Sequence, residues 1–249
     1  MKSLLLNDLM FRGVRTIALF WLLLPAVEAQ LRSPSLYDRD YRQALSDYNA
    51  FLKKHPGHPQ VSNARGDVHF FLGMFKESIA DYDVYLEVNP KEFPYHWKRG
   101  ISCYYSGDFK KGVAQFESHK AVNPHDVENA VWHFICKARA ESLEAARKDL
   151  IPIEGDGRIP MMKVHALFAG KATPEDVLQR AEDTTRPDRL KIQRFYAHLY
   201  LGIYYEIIGN KKKAVEHIDL AAIKFFDPHY MGEVAKVHKA YLDRLYAGD

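Results

Sequence analysis

The sequence predicts an all-α protein, a right-handed solenoid of about five to six helix pairs closed by a C-terminal capping helix. Three observations carry that prediction. Gly66, Gly73, Phe75, Tyr82 and Pro90 are answered 34 residues later by Gly100, Gly107, Phe109, Phe116 and Pro124, and a recurrence of that length is one antiparallel helix pair. Thr173-Pro174-Glu175-Asp176 is a helix start, with a hydroxyl to cap free amides, a proline suited to the first turn and carboxylates facing the helix dipole. From Met231 to Tyr246, Val234, Val237, Tyr241 and Leu245 fall on one helix face and Glu233, Lys236, Lys239 and Asp243 on the other.

The first segment in chain order is apolar. Arg12 and Arg15 precede the run Ile17–Leu24, and Pro25-Ala26-Val27-Glu28-Ala29 follows it. This order of basic, apolar and small residues predicts a signal peptide over residues 1–29, cleaved after Ala29, with Met10 as an alternative start. The run is shorter than the roughly 20 residues that span a bilayer, so no stable membrane insertion is expected after cleavage. The expected location is therefore exported, periplasmic or secreted; the alternative is a membrane anchor through an uncleaved N-terminal segment.

Residues 30–249 are then expected to form one solenoid domain. Tyr41, Ala44, Tyr48, Phe51 and Pro56 place the second helix of a first unit over Asp40–Lys54. The best-defined repeats are 59–92 and 93–126, and the degenerate repeat 127–160 keeps Phe134, Leu143, Ala146 and Leu150 without the turn glycines. Gly155-Asp156-Gly157 and Pro160 mark a loop before an irregular helical pair in 161–186, with a short helix near Met161–Ala169 and another from Thr173. Gly202, Tyr205, Gly209, Ala214, Ile218 and Ala221 define a late repeat, 187–226, whose first helix begins near Pro187 and is longer than usual. The capping helix follows at 229–247.

Composition limits the function. The chain is 47% apolar and 27% charged with a net charge of +3, and no Lys/Arg run exceeds Lys211–Lys213, so the electrostatic footprint of a nucleic-acid binder is missing. Twelve histidines allow sets such as His55, His58 and Asp67, or His217, His229 and His238, but no compact ligand spacing supports a metal. Asn129-Ala130-Val131-Trp132-His133 reads as a packed tryptophan beside a capped imidazole. There is no G-x-S-x-G turn and no phosphate-binding loop, and Cys103 and Cys136 lie mid-helix. No catalytic residue, metal or cofactor is expected. Equivalent positions on adjacent parallel helices lie about 9–10 Å apart against a disulfide reach of about 7 Å, which favours two buried free thiols.

The repeat positions resemble a known pattern. Gly66, Gly73, Ser78, Tyr82 and Pro90 stand at positions 8, 15, 20, 24 and 32 of one unit, and Gly100, Gly107, Gly112, Phe116 and Pro124 at the same positions of the next. Over roughly residues 37–226 the chain is similar to the tetratricopeptide repeat superfamily. With the export signal it resembles the exported bacterial cell-envelope (NlpI-like) members, which act as adaptors; their lipid-attachment cysteine is absent here. The resemblance implies a noncatalytic protein-interaction module whose concave face, at positions 2, 5, 9, 12 and 13, holds a peptide or helix segment of a protein partner. Those positions give Gln60 and a groove of Asn63, Asp67, Phe70, Phe71, Trp97, Ile101, Tyr104 and Tyr105, with Arg139 from the fourth unit. The alternative for Phe70, Ile101 and Tyr104 is that they cover neighbouring helices. The Lys and Asn of a carboxylate clamp are absent, because positions 5 and 9 hold Asn63 with Asp67 and Trp97 with Ile101. The alternatives at the level of function are a self-associating structural protein forming a homo-oligomer, a small-ligand carrier or an enzyme.

Overall fold

The computed structural model describes residues 40–247; the expected signal peptide and the segment up to Arg39 lie outside the described residues. The helix expected over Asp40–Lys54 is α1, Tyr41–Lys54, and Asp40 starts it by accepting hydrogen bonds from the amides of Arg42 and Gln43 at 3.1 and 3.0 Å. Helices α2 (Pro59–Phe71), α3 (Phe75–Val88), α4 (Trp97–Ser106), α5 (Phe109–Lys120) and α6 (Val127–Ala140) follow, each packed on its predecessor. A 3₁₀ stretch, Pro90–Tyr95, precedes α4. All regular structure among the described residues is helical.

The recurrent glycines explain the close packing of these pairs. A Cβ on Gly66 would lie 2.6 Å from Tyr82 Cε1, one on Gly100 2.6 Å from Phe116 Cζ, and one on Gly202 2.5 Å from Ile218 Cγ1. The same contact therefore joins three helix pairs: a bare backbone in the first helix receives a large side chain from the second. A second contact also recurs. Ser78 Oγ lies 2.9 Å from Ser102 Oγ, and 34 residues further on a Cβ at Gly112 would lie 2.6 Å from Cys136 Sγ. Both cysteines are buried and free.

Beyond α6 the regularity weakens. Helix α7 is confined to Leu143–Lys148, and the chain stays irregular through Pro152, which disfavours helical backbone at Ile151. Helix α8 is Met161–Phe168, and α9 is Pro174–Ala181, started by a capping box between Thr173 and Asp176. A 3₁₀ turn at Pro187–Arg189 leads into the 18-residue α10, Leu190–Ile207. Helix α11 (Lys211–Asp219) runs through a π-helical turn, Leu220–Lys224, before the final helix α12, Tyr230–Leu245.

The apolar stripe of α12 sits differently from the expectation. Leu245 is 47% exposed, Glu233 is buried, and His238 and Leu242 complete the inward face. The helix packs on α11 and the π turn, and also reaches back to α2 near the start of the described chain. The main core runs from Phe70 through Trp132 and Tyr200 to Leu242, and a smaller cluster of Tyr48, Phe51, Leu52, Val61 and Val68 joins α1 to α2.

Candidate binding site

The side chains of α2, α4 and α6 expected to line the groove are largely taken up by contacts within the chain itself. Phe70, Ile101, Tyr104 and Tyr105 are buried. Tyr230, the first residue of α12, brings its ring 5.9 Å from Phe70, 5.3 Å from Phe71 and 4.9 Å from Trp97, and Tyr241 lies 5.4 Å from Tyr105. Asn63 accepts a hydrogen bond from His96 Nε2 at 2.7 Å, and Asp67 accepts one from Tyr82 at 2.7 Å and pairs with Lys98 at 2.8 Å.

Arg139 serves a buried carboxylate. It pairs with Glu206 of α10, whose side chain is fully buried and to whose two oxygens the Tyr104 hydroxyl donates at 2.9 and 2.7 Å. His238 Nε2 lies 3.8 Å from Glu206, and His238 Nδ1 is 2.9 Å from the Tyr105 hydroxyl. Burial lowers the His238 pKa, so the ring is held neutral against this carboxylate. Four helices, α4, α6, α10 and α12, are thus joined through one internal polar group.

Between the start of α4, the start of α6 and the start of α12 a cavity of about 270 Å³ remains. Its aromatic walls are Trp97, Phe116, Trp132 and Tyr230, with Trp97 and Tyr230 standing at 85° to one another. Local rules place each wall. Asp126 starts α6 by accepting from the Glu128 amide at 3.0 Å, and His229 starts α12 by accepting from the Gly232 amide at 3.0 Å. Gly232 is required there, since an added Cβ would collide with the Asp227 carbonyl.

Asp126 and Glu128 bring charge to the cavity. Both pair with Arg158, which also binds Asp156 at 2.6 Å, and Tyr200 donates to Glu128 at 2.6 Å. Burial raises the Glu128 pKa while Arg158 opposes the rise. Four further polar atoms of the lining residues are buried without a hydrogen-bond partner: Asn129 Oδ1, on a residue that is 3% exposed, Trp132 Nε1, on one that is 1% exposed, His229 Nε2 and the Tyr230 hydroxyl.

Trp97 and Ile101 are the two expected groove residues that line this cavity. Sequence reasoning left out Trp132, Asn129, Glu128 and Tyr230. Glu128 holds position 2 of the fourth unit, so the repeat register could have supplied it. Tyr230 is 133 residues from Trp97, and no local signal marks their meeting. The histidines considered for metals have other tasks: His58 and His229 cap helices, and His217 Nδ1 lies 2.8 Å from His198 Nδ1. Among the described residues, no helix is long and apolar enough to cross a membrane. No protein-family model matches the chain, and no curated protein matches it.

Proposed function

We propose that the chain is a noncatalytic protein-interaction module: a tetratricopeptide-type, right-handed solenoid that holds a peptide or helix of a partner protein on its first-helix face. The observation that carries this reading is what already lies on that face. The aromatic side chains of α2 and α4 receive the start of an amphipathic helix, α12, through Tyr230, and leave beside it an open aromatic cavity. Burial of an amphipathic helix by aromatic anchors is the physics of helix-in-groove recognition, here supplied within one chain. The equivalent glycine contacts at Gly66, Gly100 and Gly202 support the repeat reading, because they demand the same crossing of helices three times. The residues from Arg12 to Ala29 support export as the setting in which the module works.

The test is affinity capture from the native cell envelope with residues 30–249, in parallel with the Trp97→Ala variant. A partner held by the parent chain and lost from the variant supports the module. Identical capture by both chains contradicts it.

A further inference from the structure

We propose that the cavity between Trp97, Trp132 and Tyr230 binds an N–H-bearing organic cation, the ammonium or guanidinium group that a lysine or arginine side chain carries. Its peptide form rests on the interaction-module reading; the cation chemistry stands on the cavity alone.

Four features of the cavity point to this chemistry. Its lining is aromatic on several sides, and aromatic rings attract cations through the ring quadrupole, as the Tyr230 ring already does with Lys98 Nζ at 4.7 Å from its centroid. The only formally charged side chains in the lining are the carboxylates Asp126 and Glu128. Behind them Asp126, Glu128 and Asp156 share the single guanidinium of Arg158, three negative groups against one positive, which leaves the cluster net acidic. Finally, Asn129 Oδ1 is a buried acceptor with no donor, a group whose desolvation is uncompensated until an N–H reaches it. The lining thus presents acceptors at Asp126, Glu128 and Asn129 together with three donors that lack a hydrogen-bond partner, Trp132 Nε1, the Tyr230 hydroxyl and His229 Nε2, whose Nδ1 already accepts from the Gly232 amide. The carboxylates and Asn129 suit a cationic head, and the three donors call for an acceptor carried beside it.

Size narrows the occupant. At about 270 Å³ the cavity falls just below the range of drug-sized ligand sites, roughly 300–1,000 Å³, and holds one large side chain or a small amine. The carbonyls beside a lysine or arginine in a peptide supply acceptors for donors such as Trp132 Nε1, the Tyr230 hydroxyl and His229 Nε2, which a simple amine lacks.

Two of the three tryptophans of the chain line the cavity, so their indole N–H signals report on occupancy. The experiment titrates the full chain with n-butylammonium, n-butylguanidinium, an acetylated and amidated Ala-Lys-Ala peptide, and its norleucine counterpart, following the Trp97 and Trp132 indole resonances. The expected result is a saturable shift with the cations and at least about tenfold weaker binding of the norleucine peptide. Saturation by the lysine peptide alone assigns the cation to a peptide, and saturation by the small amines as well shows that the cationic group suffices. Asp126→Asn removes a charge while keeping a good helix cap, and it should weaken the cations severalfold without changing norleucine binding. Equal binding of lysine and norleucine peptides overturns the proposal, as does the absence of any saturable shift. A chain that binds butylammonium yet captures no partner keeps the cation site and loses the module; one that captures a partner without any preference for cations does the reverse.

Discussion

Replacing Arg139 by methionine separates a structural from a recognition role for the residue that the repeat register places in the groove. The Glu206 side chain is fully buried and that of Arg139 is 36% exposed, so the substitution leaves a carboxylate in the core with only the Tyr104 hydroxyl and the neutral His238 near it. Removing one partner of a buried pair costs about 3–5 kcal/mol. Water can follow the half-open Arg139 end into the site, which brings the expected loss down to or below the lower end of that range, about 2–3 kcal/mol. For a chain of this size each kcal/mol moves the melting temperature by about 2–4 °C, so thermal melting followed by circular dichroism at pH 7 should show a drop of roughly 5–10 °C. Adding Glu206→Gln removes the stranded charge while keeping an acceptor for Tyr104. The double variant should therefore be more stable than the sum of the two single losses by about 1 kcal/mol or more. A melting temperature within about 1 °C of the parent for Arg139→Met, or strict additivity in the double variant, would refute this reasoning.

Four further outcomes are expected. Gly100→Leu should prevent folding or strongly destabilise the chain, because even a Cβ at Gly100 would lie 2.6 Å from Phe116 Cζ; Phe116→Ala in the same chain should recover part of the loss, and denaturant titration measures both. Trp132→Ala should cost about 3–5 kcal/mol, whereas Trp97→Ala, at a half-buried position, should cost clearly less and act mainly on binding. Burial pushes the Cys103 thiol up to about 11 and the Cys136 thiol well above its usual range, so neither should react with a thiol-specific disulfide reagent at pH 8 until denaturant is added. Burial also lowers His96 and His198 to about 4. The unfolded chain then takes up these protons first as the pH falls, so their contribution to stability is complete above about pH 6.5 and is lost towards pH 4. Acid titration of the fold should show that decline, and His96→Gln should shift it to lower pH; a flat stability between pH 7 and pH 4.5 would contradict it.

The parts of the fold legible in the sequence are those fixed by neighbours. Asp40 and Thr173 announce helix starts because a short oxygen-bearing side chain satisfies amides two or three residues on, and both do so. Gly66 and Gly100 announce close crossings because their aromatic partners, Tyr82 and Phe116, stand a fixed 16 residues away in the next helix. What escapes is set by distant chain. The amphipathic pattern of α12 identifies a helix but not the surface that takes it, and the surface includes α2, Trp97 and Tyr105. The same remoteness explains why Glu233 is buried and Leu245 exposed, against their hydropathy. Arg139 carries no sign in the sequence of its partner Glu206, 67 residues later. In the site, the aromatic character of the first-helix face was legible, whereas the cavity was not, because one of its walls comes from the other end of the chain.

The most direct test of the central claim, that the first-helix face around Trp97 receives a partner segment, is site-specific photo-crosslinking in the native cell. A photoreactive amino acid is placed at Trp97 in one chain and at Val88, 61% exposed at the end of α3, in another. The account predicts a discrete partner segment crosslinked at position 97 and absent at position 88. No product at 97, or the same products at both positions, would contradict it.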